Sequence, residues 1–195
     1  MNATSKMIFD WPEIPALPPA NQPVLIRVAT SRSRPVARQE LRAALHHVLS
    51  AWSNLPLDQL PLQETSSGPA WSGQLAGQSL DISLSYTEGE AWIGLLRSGR
   101  IGIDAMVVQP IPEATEVARH YLSPNALATI QTSCDPTTSF TTAWTSLEAR
   151  LKCLKQNLTE WSATQEKLLA ACTMQIIKFN ERSIVTVASL SPPDS

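Results

Sequence analysis

The chain is poor in cysteine and histidine, and neither type is arranged to hold a metal. Cys134, Cys153 and Cys172 are odd in number and widely spaced, with no CxxC and no histidine at metal spacing. That excludes a zinc ribbon and a paired disulfide framework, and it predicts reduced thiols in a cytoplasmic protein. No window approaches the roughly eighteen uninterrupted apolar residues of a membrane-spanning helix, and no basic stretch leads into an apolar leader segment, so neither export nor membrane insertion is expected. Charge is also scarce, at 16% of residues, with a formal net charge of −2 and a pI near 5.9. A general nucleic-acid binder should be basic, so none is expected here.

The scarcity of charge is uneven. Residues 43–96 contain no Lys or Arg, whereas Arg27, Arg32, Arg34, Arg38 and Arg42 crowd into residues 27–42 with a single acid, Glu40. One segment is thus specialised for meeting anions. The hydrophobic content of 43% over 195 residues suffices for a normal core, in one large domain or two small ones.

Local pattern predicts an α+β chain. Residues 10–23 carry Pro12, Pro15, Pro18, Pro19 and Pro23, so they read as an extended surface arm anchored by Trp11. Residues 24–30 alternate as a strand, and 34–52 place Val36, Leu41, Leu45, Val48, Leu49 and Trp52 at helical spacing. After a loop rich in Pro, Ser and Gly, segments 79–86, 90–97 and 101–108 read as three strands of an antiparallel meander, with turns at Glu88-Gly89 and Ser98-Gly99. Helices follow at 113–120, from Ser123-Pro124 to Gln131, and from about 140 to 157. Residues 174–179 and 183–190 read as a closing hairpin, and SPPDS at 191–195 as a frayed tail.

Within this pattern Asp104 stands among Ile101, Ile103, Met106, Val107 and Val108. A carboxylate in such surroundings needs a cation or it stays protonated. If a second carboxylate came from a helix, a divalent ion between the two would remove their repulsion, and oxygen donors favour magnesium or manganese over zinc. An arginine partner for Asp104 satisfies the same requirement.

The segments GID at 102–104, HYLSPNA at 120–126 and WTSLEARLK at 144–152, in this order, resemble the Sfp-type 4′-phosphopantetheinyl transferases. Those enzymes carry GxD on a strand and W-x-x-K-E-x-x-x-K on a helix. The resemblance runs from about Arg38 to Leu158. It implies a 4′-phosphopantetheinyl transferase-like α+β fold of two similar halves, 1–98 and 99–195, each a small antiparallel sheet packed on a long helix. It also implies transfer of the phosphopantetheine arm of coenzyme A to a serine of an acyl or peptidyl carrier protein, with release of adenosine 3′,5′-bisphosphate. Position by position, Asp104 and Glu148 fall on the Mg²⁺ ligands, with Mn²⁺ an alternative. Lys152 falls on the lysine directed at the phosphates, and Glu148 and Lys152 together on the catalytic positions. Arg38, Ser85 and Tyr86 fall on coenzyme A contacts. A monomer would suffice, and the carriers would serve polyketide or other secondary-metabolite synthesis.

The chain departs from the family pattern at several positions. Met106 stands where a third acid is usual, Tyr86 where a histidine is expected, and Leu147 where a lysine precedes the glutamate. S-G-P at 67–69 replaces G-K-P, and Asn125 or Ala126 stands in place of an acid. These departures leave open a relative that binds coenzyme A or a carrier without transfer. Plainer readings also stand beside the functional ones. Glu148 and Lys152 form an i,i+4 helix pair. Arg38 lies on a solvated face, Arg32 and Arg34 in a solvated loop, and Ser83 and Ser85 on the outward face of a half-buried strand. His46, His47 and His120 carry no chemistry, and Trp144 and Leu147 are core. The apolar surface around HYLSPNALATI, with Leu122, is expected to dock the carrier.

Overall fold

A computed structural model describes residues 7–65, 68–180 and 182–191, and it is mixed α+β. The Ser67 position and the tail from 192 onward lie outside the described residues. The chain divides into two compact units, one ending at Ile101 and the other spanning Gly102–Leu190.

The first unit holds strands β1 (Ile8–Asp10) and β2 (Val24–Ala29), helix α1 (Arg34–Ser53), the hairpin β3 (Leu62–Thr65) and β4 (Gly68–Trp71), and strands β5 (Leu80–Thr87) and β6 (Glu90–Arg97). The sheet order is β1-β2-β6-β5, with β1 parallel to β2 and the other pairs antiparallel. Register follows the apolar alternation: Ile26 and Leu84 both face Ile93 of β6. The helical face read from the sequence is the one buried, with Leu41, Leu45, Val48, Leu49 and Trp52 in the same core as Ile26, Ile82 and Ile93. Each such side chain contributes about 1.5–3 kcal/mol when fully buried. Val36, expected on the buried stripe, is 40% exposed because it sits in the first turn, ahead of the packed face.

The arm at 11–23 has no strand or helix. Its prolines cannot donate to a ladder, so its carbonyls accept from side chains instead. Trp52 Nε1 donates to Pro15 at 2.8 Å and Arg97 to Pro18 at 2.6 Å, while the Trp11 ring stacks on His47. Strands β1, β3 and β4 were not foreseen. β1 is three residues long, β3 lies mostly in solvent, and β4 alternates but is only four residues long and begins Gly-Pro, which read as loop.

The meander is corrected by the structure. Strand β7 (Arg100–Val107) does not continue on β6; it belongs to a three-stranded sheet with order β7-β9-β8, where β8 is Thr173–Phe179 and β9 is Ser183–Leu190. At its start the Asp81 carboxylate accepts from the Ile101 amide at 2.7 Å, supplying a bond that a neighbouring strand would otherwise make.

The second unit also contains α2 (Ala114–Tyr121), α3 (Pro124–Thr132), α4 (Pro136–Leu154) and α5 (Ala163–Leu169). Ser123 caps α3, as its sequence position predicts, by accepting from the Ala126 amide at 3.2 Å. Helix α4 begins earlier than expected, because Asp135 accepts from the Thr138 amide and Pro136 occupies the first turn. It ends at Leu154, where Lys155 takes a left-handed φ of 55°. Within it Thr141 and Thr145 are fully buried. Thr141 bonds the Thr137 carbonyl, and the Thr145 hydroxyl pairs with that of Thr186 of β9 at 2.9 Å. The apolar core joins Ala118, Leu122, Ile130, Phe140, Leu147 and Leu151, with β8 and β9 closing as an antiparallel hairpin.

Candidate functional site

Two-residue periodicity puts Gly102, Asp104 and Met106 on one face of β7, while Ile101, Ile103 and Ala105 on the other are buried. Along α4, Glu148, Ala149, Lys152 and Cys153 fall on neighbouring helical positions. The contact between strand and helix depends on Gly102. A Cβ built there would lie 1.9 Å from the Ala149 carbonyl oxygen and 2.4 Å from the Cys153 amide nitrogen, so helix backbone occupies the space a side chain would need. That close approach carries Lys152, one turn from Ala149, to the carboxylate two residues beyond the glycine.

Lys152 Nζ donates to Asp104 Oδ1 at 2.7 Å and to the Ile103 carbonyl at 3.1 Å. The Asp104 side chain is 14% exposed and that of Lys152 is 32% exposed. The buried carboxylate therefore has its cation, and that cation is the helix lysine. Glu148 lies near enough for the Asp104 charge to act on it. Burial pushes its pKa up, Asp104 adds to the rise, and Lys152 opposes it. Lys152 thus acts on both carboxylates in a half-buried setting.

The donor chemistry of this pair fits a hard divalent cation, since both groups present oxygen and their mutual repulsion falls when such an ion is bound. Among the described residues no cluster of three or more His, Cys, Asp or Glu is placed to hold a metal. Met106 packs against the apolar core of this unit, as does Trp144, whose ring lies over Phe140, and Leu147 is buried there.

The other sequence-derived residues lie in the first unit. The Arg38 guanidinium sits 6.0 Å from the centre of the Tyr86 ring, at the outer edge of cation–π range. Burial raises the Tyr86 pKa, against the lowering by Arg42 and Arg38. Beside them is a cavity of about 270 Å³ lined by Ser31, Arg32, Arg34, Ala37, Tyr86, Thr87 and Glu88. Arg42 is held bidentately by Glu64, and Arg32 lies 3.4 Å from Glu88. Arg34 and Arg38 have no carboxylate within ion-pair distance among the described residues.

Two local readings are corrected. Ser83 and Ser85 are not outward-facing: both are buried, with Ser85 opposite Trp92 of β6. Leu122 is 6% exposed within the apolar core of the second unit, so it offers no docking surface. The lysine–aspartate ion pair itself was missed, although the glycine two residues before Asp104, on the same strand face, was the signal that a helix backbone could come that close.

Residues 100–184 match the model of the 4′-phosphopantetheinyl transferase superfamily. No curated protein matches the chain. The matched segment contains Asp104, Glu148 and Lys152, and it supports phosphopantetheine transfer as the general chemistry of that part of the chain. The arginine cavity lies outside it. Among the described residues, no helix is long and apolar enough to cross a membrane.

Proposed function

We propose that this protein is an Sfp-type transferase that moves the 4′-phosphopantetheine arm of coenzyme A to a serine of an acyl or peptidyl carrier protein, releasing adenosine 3′,5′-bisphosphate. The observation that carries the reading is the Asp104–Lys152–Glu148 arrangement, held by the Gly102 contact inside the segment that matches the superfamily. Asp104 and Glu148 would hold Mg²⁺ or Mn²⁺, which when bound supplies charge neutralisation at the diphosphate. Lys152 would face the same phosphates as a point charge. Glu148 would take the serine proton, a task to which a carboxylate of raised pKa is better suited than an ordinary one.

Under this reading Arg38, Ser85 and Tyr86 contact coenzyme A, and the neighbouring cavity with Arg32 and Arg34 receives a phosphate. The two units then correspond to similar halves, each with a long helix on a small sheet, in a monomeric cytoplasmic enzyme serving carriers of polyketide or other secondary-metabolite synthesis. Incubation with coenzyme A, Mg²⁺ and a panel of apo carriers tests it. One carrier should gain the mass of a single phosphopantetheine arm; a panel left wholly unmodified, while a control enzyme modifies the same samples, overturns the reading.

A second reading has its own support. With Met106 packed on the core and no cluster of three metal-ligating side chains among the described residues, the chain resembles a relative that binds coenzyme A or a carrier without transfer. Calorimetry separates the two, because this version predicts coenzyme A or carrier binding that is little changed by Mg²⁺ and by Asp104→Ala.

A further inference from the structure

The ammonium of Lys152 lies on the carboxylate to which the proposed function assigns the metal. We propose that Lys152 is a resident counterion, which holds Asp104 in the metal-free protein and is turned outward when a divalent ion arrives. The inference rests on the proposed site and deepens it by assigning the order of events.

Three observations support the exchange. Both acceptors of Nζ, the Asp104 carboxylate and the Ile103 carbonyl, belong to β7, so one movement away from that strand breaks both hydrogen bonds. The Lys152 side chain is 32% exposed against 14% for Asp104, so the cation has a path to solvent while the carboxylate stays in place. A lysine is a flexible stem carrying a single point charge, without the fixed fork that would lock an arginine onto a carboxylate. Charge supplies the direction. Without metal, the Lys152 ammonium answers the charges of Asp104 and Glu148. A divalent ion on the same carboxylate repels Nζ from Asp104 and leaves it directed at an incoming anion. Metal and lysine thus compete for one carboxylate, and the competition is reciprocal.

The test is Mn²⁺ titration of the whole protein, with free ion followed by electron paramagnetic resonance, on wild type, Lys152→Met and Asp104→Asn. Lys152→Met should bind Mn²⁺ on the order of tenfold more tightly than wild type, within the usual range of a two-site coupling. Asp104→Asn should lose the site. If Lys152→Met binds no more tightly while Asp104→Asn loses the ion, the exchange is overturned and the metal site stands. If Asp104→Asn binds as wild type does, the proposed site itself is wrong, and the exchange falls with it. A second readout does not depend on the variants folding. In wild type, Lys152 should react faster with an amine-acetylating reagent when Mg²⁺ is present, as read by peptide mass spectrometry; an unchanged rate overturns the exchange.

Discussion

The ionic groups of the two units are held by different means. In the first, Arg32 and Glu88 sit 3.4 Å apart with side chains 84% and 59% exposed. In the second, Lys152 and Asp104 sit 2.7 Å apart at 32% and 14% exposure, on elements whose backbones touch at a glycine. Exposed pairs of the first kind contribute about 0–1 kcal/mol, and their long side chains keep much of their freedom. The second kind is determined by backbone position, and few sequences can supply it. It is also the kind that lies within the superfamily match.

The sharpest way to break this contrast is Gly102→Ala. The added methyl has backbone on its far side, at 1.9 Å from the Ala149 oxygen, so helix α4 must move rather than a flexible side chain. We expect a loss of about 3 kcal/mol or more, at the upper end of overpacking costs, seen as a lower denaturant midpoint and a collapse of carrier modification. Gly89, in the β5–β6 turn of the first unit, has a φ of 80° and open space around its Cβ position. Gly89→Ala should therefore cost only the left-handed penalty of about 1–2 kcal/mol and leave transfer intact in the surviving folded protein. Next in size is Asp104→Asn, which keeps shape and removes charge. Holo-carrier formation should fall by about 10²–10³, as when a preorganised electrostatic group is lost, with the effect mainly in kcat.

How much of this was legible follows the same division between long elements and local chemistry. Helix α1 could be read because its apolar face recurs along the whole element, and strands β5 and β6 because each is a run of eight strand-forming residues bounded by turn residues. The partner of β7 could not, since Ser98-Gly99 has the same composition as a hairpin turn and nothing local says which sheet the next strand joins. The start of α4 was hidden because threonines read as a connector, whereas here their hydroxyls bond helix carbonyls and a β9 threonine. At the site, Asp104's need for a cation was readable from its apolar neighbours. That the cation is Lys152 depends on a close approach between strand and helix that only the backbone reveals.

A smaller effect sharpens the first unit's role. Arg34→Ala and Arg38→Ala should each raise the KM for coenzyme A with little change in kcat, since each removes a charge-assisted contact worth about 1.5–3 kcal/mol. Added salt should weaken coenzyme A binding in wild type more than in either variant. If kcat fell as well, the arginines would belong with the reacting groups and the contrast between the units would be wrong.

The smallest effect concerns Glu148. Burial and the Asp104 charge raise its pKa in the folded protein, so the folded state holds the proton more tightly than the unfolded chain does. Stability from this group is then fully present below its unfolded pKa and falls as pH rises through the interval up to the raised folded value. Above that interval the wild type keeps an ionised, partly desolvated carboxylate beside Asp104. Glu148→Gln removes the charge, so in chelator and at neutral pH the variant should melt higher than wild type, by no more than about 1 kcal/mol given the solvent screening of a half-exposed group. The gap should close as pH falls into the carboxyl range, where wild-type Glu148 becomes neutral. Mg²⁺ should also narrow the gap at neutral pH, because an ion bound to both carboxylates stabilises only the wild-type pair. Thermal melts of both proteins across pH, with and without Mg²⁺, measure all three trends. A Gln variant less stable than wild type in chelator would mean that the Glu148 charge is already compensated without metal, and the site would then have no net negative charge to drive the entry of an ion.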